Sequence, residues 1–451
     1  MQHLNYKLIT LAALFLGLVL VPNNAIAASK SASATNVEAS VKNNSGSNEN
    51  RGANNWSDDE WGDDAWSTEA ASPWQNVVKF VEFSWGRRTN TDPVIASDTT
   101  LSDARFQLQT TYALSNSLIN LRGQVFYDGV QDKWRGQLRE LNWQGKLNEK
   151  WDLKVGQQVL TWGTGDYLFI NDLFAKDWQS FFAGRDDEYL KAPQFAMKAS
   201  GYYEFANIDL VVTPIFTSDT FINGDVFSFY NPLAAQFNGG NNVAPGFEVA
   251  KENQPDDLEF ALRIKKQIGN TEYALYGYSG FEKTPASLTQ QMQPTFSKLT
   301  VIGASAVTQM LGGLVNLEIG QHTIEESEDS GLAFAPDSEF KAMLGYQTEL
   351  IANLTGSVQF QVEGERTLWT GQLYYRMLKD TATVQWFTFY SPSDRDAYSR
   401  LRATYKPIQD CEISAGANVF WQSSETRELP RTFFGQFENA SNVFVSARYY
   451  F

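Results

Sequence analysis

The sequence predicts an all-β fold: a transmembrane, antiparallel, up-and-down β-barrel of about 18 strands, preceded by a disordered N-terminal segment. Three observations predict it. From Val77 onward the chain is a succession of segments in which apolar and polar residues alternate. Each is about ten residues long, enough to cross a bilayer as a tilted strand with one face toward lipid and the other toward a wet interior. The links between segments sort by length into two sets, and the final segment runs without interruption to an aromatic C-terminus, Phe451.

The segments fall near 77–86, 104–113, 118–128, 136–147, 151–162, 194–203, 207–216, 258–268, 272–281, 298–308, 313–322, 338–350, 356–366, 370–378, 382–391, 396–406, 413–422 and 442–451. In the second, Ala104, Phe106, Leu108 and Tyr112 oppose Arg105, Gln107, Gln109 and Thr111. In the thirteenth, Val358, Phe360 and Val362 oppose Gln359, Gln361, Glu363 and Glu365, and in the sixteenth Leu401, Ala403 and Tyr405 oppose Arg400, Arg402 and Thr404. With the first strand running outward, even-numbered strands should end in short periplasmic turns. The short links Ser115-Asn116-Ser117, Asn148-Glu149-Lys150, Gly269-Asn270-Thr271, Gly312-Gly313, Lys379-Asp380 and Gln409-Asp410 all do so. The long ones, 163–193, 217–257, 282–297, 323–337 and 423–441, all fall on the opposite side. A closed ring of strands satisfies every backbone N–H and C=O inside hydrocarbon and leaves no edge. About 18 strands leave an aqueous channel unless loops or the N-terminus fill it.

The N-terminus has its own pattern. Met1 to Lys7 is basic, Leu8 to Val21 is apolar, and Ala25-Ile26-Ala27 is an A-x-A cleavage site, so residues 1–27 read as a removable signal peptide. Residues 28–74 are rich in Ser, Asn, Ala and Gly and read as disordered, with the barrel occupying 75–451. Within the disordered stretch Trp56, Trp61 and Trp66 recur every five residues among acids, which suits a solvated linker or a docking peptide for a periplasmic partner. A mean hydropathy of −0.35 beside 14% aromatics fits a barrel, in which only alternate residues are greasy and aromatic girdles mark the interfaces. The formal charge of −16 argues against nucleic acid. The single Cys411 gives no internal disulfide, no haem site and no cysteine-rich metal site, and no cofactor is expected.

The inward face supplies candidate lumen residues. Basic candidates for contact with a solute include Arg105, Arg122, Arg263, Arg376, Arg400 and Arg402; acidic ones include Glu363 and Glu365. Such charges either set a transverse field at a narrow eyelet or pair with one another in a polar lumen. Arg400 and Arg402 share a face, which leans toward an anionic solute, and Tyr276, Tyr278, Tyr374 and Phe420 suit sugar stacking or wall packing. The densest constellation runs from Gly156 through Trp162-Gly163-Thr164-Gly165-Asp166 to Asp172 and Trp178. Glycines permit a sharp fold-in. The apolar residues Tyr167, Leu168, Phe169, Ile170, Leu173 and Phe174 are too many for a solvated surface loop, so this loop is expected to fold inward as a constriction, with Asp166 and Asp172 as its acids.

This stretch, with Pro193 and Thr213-Pro214 after it and FVEFSWG and FYDG before it, resembles a proteobacterial porin-like family of unknown function. That family is distantly similar to alginate-export and other substrate-specific porins. The resemblance implies an outer-membrane barrel, with no established substrate or catalytic residue. Some family members look like partners of exporters, which implies export of a lipid-like or polymeric product as an alternative. The final strand, ending on Phe451, also resembles the signal by which the barrel assembly machinery recognises its clients. Oligomeric state stays open between a monomer and a homo-oligomer. An enzyme would need His322, the single histidine of the mature chain, at the outer end of its strand beside Thr323, Glu325 and Glu326, where a plain surface histidine is expected.

Overall fold

The structure, a computed structural model, describes residues 73–231, 234–240, 249, 258–325, 331–423 and 432–451. The signal peptide, the 28–72 segment and Trp56, Trp61 and Trp66 lie outside the described residues. Eighteen strands form a single antiparallel sheet. They are β1 (Trp74–Arg88), β2 (Thr99–Ala113), β3 (Ser117–Asp128), β4 (Lys133–Lys146), β5 (Trp151–Val159), β6 (Pro193–Tyr202), β7 (Asn207–Thr213), β8 (Glu259–Ile268) and β9 (Thr271–Phe281). The second half comprises β10 (Lys298–Met310), β11 (Gly313–Ile324), β12 (Glu339–Ile351), β13 (Leu354–Glu363), β14 (Arg366–Met377), β15 (Ala382–Ser391), β16 (Asp396–Ile408), β17 (Cys411–Gln422) and β18 (Asn442–Tyr450). All 18 expected segments are strands, most with ends within about three residues of expectation.

Each strand pairs with its sequence neighbours, and β18 pairs with β1 from Phe80↔Tyr450 to Arg88↔Asn442, which closes the ring. The alternation in sequence becomes alternation in burial: in β1, Phe80, Glu82 and Ser84 are buried while Phe83 and Trp85 point outward, 64% and 47% exposed. Ile302, Leu344 and Val125 continue the exposed apolar belt. Trp85, Trp134 and Trp421 stand near its outer rim, and Tyr375, Tyr405 and Tyr449 near the inner one. Large apolar side chains outside and buried glutamate, arginine and glutamine inside invert the arrangement of a water-soluble fold.

The turns on one side are two to four residues long, and those on the other include 160–192, 214–258, 282–297 and 423–441. The turn between β10 and β11 is the pair Leu311–Gly312, both at positive φ (57° and 77°), as a two-residue hairpin matched to strand twist requires. Cys411 is the first residue of β17, half-buried and free, directly after the Gln409–Asp410 turn.

Two buried apolar clusters lie inside the ring. The larger joins Tyr167, Phe181 and Phe182 of the long loop after β5 to Phe387, Tyr398 and Phe420 of the wall. The smaller packs Trp162 and Phe174 on Tyr276 and Val301.

Candidate functional site

The loop 160–192 enters the lumen, as its apolar content demands, and docks on opposite walls by different chemistry. Its first dock is on β11–β13. Glu318, fully buried, accepts four hydrogen bonds: from the Thr164 amide (2.7 Å) and hydroxyl (3.0 Å), and from the Asn171 amide (2.8 Å) and side chain (3.0 Å). One carboxylate thus gathers both ends of an eight-residue arch. Asn316 donates to the Thr164 carbonyl at 2.6 Å, and His322 Nε2 meets the Ile170 carbonyl at 2.9 Å. Close approach needs glycine on the wall: a Cβ on Gly303 would stand 1.8 Å from Asn171 Oδ1, and one on Gly320 would stand 2.8 Å from Ile170.

Mid-loop, Asp172 is clamped by Lys176 (2.9 Å), Lys191 and Thr161 (2.7 Å). Burial alone raises its pKa, but the two ammonium groups outweigh that and hold it below the usual carboxylate value. Both ammonium groups also sit over the Phe169 ring, at 4.6 Å and 4.3 Å. The short helix α1 (Trp178–Ala183) follows, with Asp177 capping it through the Ser180 amide at 2.8 Å. Its Phe181 and Phe182 bury against Tyr398 and Phe420, while Asn418 and Asn442 both donate to the Phe182 carbonyl, at 3.0 Å and 2.9 Å. Gly184 ends the helix at φ 88°, and a Cβ there would stand 2.2 Å from the Phe444 ring.

The second dock is electrostatic. Arginines from β2–β4 and β16–β18, adjacent across the closure, form an arc on one wall. Asp187 meets Arg400 at 2.8 Å; Asp186 meets Arg402 at 3.5 Å and Arg448 at 3.8 Å; Glu188 meets Arg122 at 3.4 Å. Burial pushes the Asp186 carboxyl up, yet Arg402 and Arg448 prevail and set its pKa at about 2. Arg185 holds Asp103 through two hydrogen bonds, at 2.7 Å and 3.1 Å. Arg139 donates to the carbonyls of Glu188 (2.7 Å) and Lys191 (3.1 Å). It does so because β4 carries a bulge: Arg122 pairs with Glu140 and Gly123 with Leu138, which leaves Arg139 as the extra residue turned inward.

On the periplasmic side of the loop a cavity of about 540 Å³ remains. Thr164 and Asp166 of the loop face Arg263 and Lys265 of β8 across it, and Gln347 and Gln359 add amides from β12 and β13. Burial pushes the Asp166 carboxyl above its ordinary pKa, against the opposing hydrogen bond from Ser357 (3.0 Å). This cavity is polar, and its volume is that of a small-molecule site.

The sequence-derived candidates divide by where they sit. Arg122, Arg400 and Arg402 reach the loop. Arg105 is buried against Asp103 (2.9 Å) beneath Tyr189, and Arg263 is paired with Asp209 (2.6 Å) at the cavity wall. Arg376 is near the periplasmic mouth, 3.8 Å from Asp380. Glu363 pairs with Lys341. Glu365 is corrected: β13 ends at Glu363, so Glu365 lies in the two-residue turn to β14, exposed and not lumenal. Asp172 is committed to the loop's own clamp, whereas Asp166 faces the cavity. His322 is corrected from a surface residue to a buried one at 7% exposure. Tyr276, Tyr278 and Phe420 are buried in wall packing. Arg139, Asn316, Glu318 as an anchor, and the Asp186–Glu188 turn were not singled out by sequence as functional.

A closed barrel with a lipid-facing apolar exterior and a loop folded into a charged lumen defines an outer-membrane porin-type channel fold. No family model matches the sequence, and no curated protein is similar to it in sequence. Solved structures do match. Acinetobacter baumannii OccAB3 superposes with a TM-score of 0.52 at 9% identity, over 83% of this chain and 98% of that one. Pseudomonas aeruginosa OccK2 (OpdF), solved in complex with glucuronate, gives 0.53 at 8% identity over 83% and 97%. Pseudomonas aeruginosa OccK9 (OpdG) gives 0.52 at 9% over 83% and 97%. At these identities the likeness is one of fold. The chain is an outer-membrane β-barrel.

Proposed function

We propose that this barrel is a substrate-selective channel for a small polar solute, anionic or saccharide in character. The observation that carries the reading is the loop 160–192. It crosses the lumen from Glu318 to the arginine arc and leaves a polar cavity beneath it. A pore narrowed by a fixed loop and lined by guanidinium groups discriminates by size and by charge. The glucuronate carried by OccK2 is a sugar and a carboxylate together, which supports the same solute class. His322 is engaged by the loop, which weakens the enzyme reading. Residues 1–27 are proposed to direct export, and Phe451 to present the finished barrel to its assembly machinery.

The test is conductance in planar bilayers. We expect discrete openings, an anion-leaning reversal potential in a KCl gradient, and concentration-dependent block by glucuronate. Electrically silent bilayers containing correctly folded protein overturn the proposal.

A further inference from the structure

We propose that the acidic turn Asp186–Glu188 is a resident competitor: it covers a polycarboxylate-binding site built by Arg122, Arg400, Arg402 and Arg448, and small polycarboxylates bind there by displacing it. The proposal rests on the channel reading and names a solute class and a form of regulation for it.

The loop's contacts differ sharply in quality. At Glu318 the carboxylate is fully buried and every contact is at hydrogen-bond length. At the turn, the side chains of Asp186, Asp187 and Glu188 keep 30%, 26% and 24% of their exposure. Three of their ion pairs stretch to 3.5, 3.8 and 4.0 Å. Such hydrated, stretched pairs are screened and weak compared with a bidentate guanidinium–carboxylate fork.

The guanidinium groups are also incompletely used. Arg122 Nε, Arg400 Nη1 and Arg448 Nη2 are buried with no hydrogen-bond acceptor, although each arginine is ion-paired. Asp187 Oδ1 lies 2.8 Å from Arg400 Nη1 and is itself without a hydrogen bond, so charge is matched there while direction is not. A free carboxylate, unconstrained by a backbone, can align with such a fork.

Displacement needs no undocking of the loop. Arg185 is chelated by Asp103, and Tyr189 and Leu190 are buried, each at 2% exposure, so both flanks of the turn are fixed. Arg400 and Arg402 also donate to the Arg185 carbonyl, at 2.7 Å and 3.1 Å. The arc therefore stays assembled when the three carboxylates swing away. A ligand with two or three carboxylates replaces the turn charge for charge; a monocarboxylate cannot.

Citrate titrated calorimetrically into the detergent-solubilised full chain tests this, with acetate as the monocarboxylate probe. Replacing the competitor in Asp186→Asn/Asp187→Asn is expected to tighten citrate binding by about tenfold. Adding Arg400→Gln is expected to erase that gain. Unchanged citrate affinity in the double variant overturns the proposal, as does a gain that survives Arg400→Gln. Should the double variant fail to fold, as judged by circular dichroism, Glu188→Gln takes its place: tighter citrate binding that Arg400→Gln erases supports the proposal, and unchanged affinity overturns it. Silent bilayers together with tighter citrate binding would sink the channel reading and leave this site standing; conducting bilayers with unchanged citrate affinity would do the reverse.

Discussion

Glu318 is a charged residue that no solute touches, yet it sets the width of the lumen. Its four hydrogen bonds close the arch from Thr164 to Asn171. Replacing it by alanine leaves the Thr164 and Asn171 amides buried without an acceptor, at about 1–3 kcal/mol each. Amide exchange across 164–171 should therefore accelerate by roughly tenfold or more, while the strand amides stay protected. Glu282, just beyond β9, gives a pH prediction. Burial raises its pKa from 4.5 to about 7, opposed by Lys341 and reinforced by Glu339. A carboxyl with a raised folded pKa holds its proton more tightly folded than unfolded, so stability falls as pH rises from about 4.5 through about 7. Glu282→Gln should flatten that part of the profile in thermal unfolding of the detergent-solubilised barrel. The converse holds for Asp186, whose pairing persists until pH falls toward about 2.

Elements were largely legible in sequence because the period-two pattern and the turn residues carry the same information. The failures are local. Glu365 continues the alternation of Gln359, Gln361 and Glu363, but the strand has already turned at Gly364, whose φ is 54°. Arg139 breaks the alternation of β4, and a bulge is invisible to a pattern that assumes strict period two. The inward loop was readable from its apolar content. Its partners were not, since Glu318 and Thr164 lie 154 residues apart and periodicity says nothing about which wall a loop meets. Two predictions belong here. Gly303→Val should undock the arch without unfolding the barrel, because its Cβ falls on Asn171, and the readout is a larger, noisier conductance. Leu311→Gly should stabilise the barrel by about 1 kcal/mol, since leucine at φ 57° carries the left-handed penalty that glycine avoids. Chemical unfolding midpoints would register it.

Across the whole molecule the formal charge of −16 hides an internal division, with the arginine arc on one wall answered by acids on a loop. A net anionic protein thereby presents guanidinium groups to its lumen, and selectivity follows the local arrangement more than the total. Replacing Arg400 and Arg402 together by glutamine should move the reversal potential in a KCl gradient toward cations, and raising the salt should shrink the difference from wild type as screening grows. Unchanged selectivity would place the filter at the cavity, beside Arg263 and Lys265.

The seam between β1 and β18 has a consequence for biogenesis. The earliest strand of the cylinder waits, unzipped along one flank, until the latest nine residues arrive, so no partial chain can seal itself. Because the two ends finish side by side, cutting the polypeptide at another hairpin and splicing the old termini through a short linker should yield a rearranged chain order that still rolls up into the same cylinder.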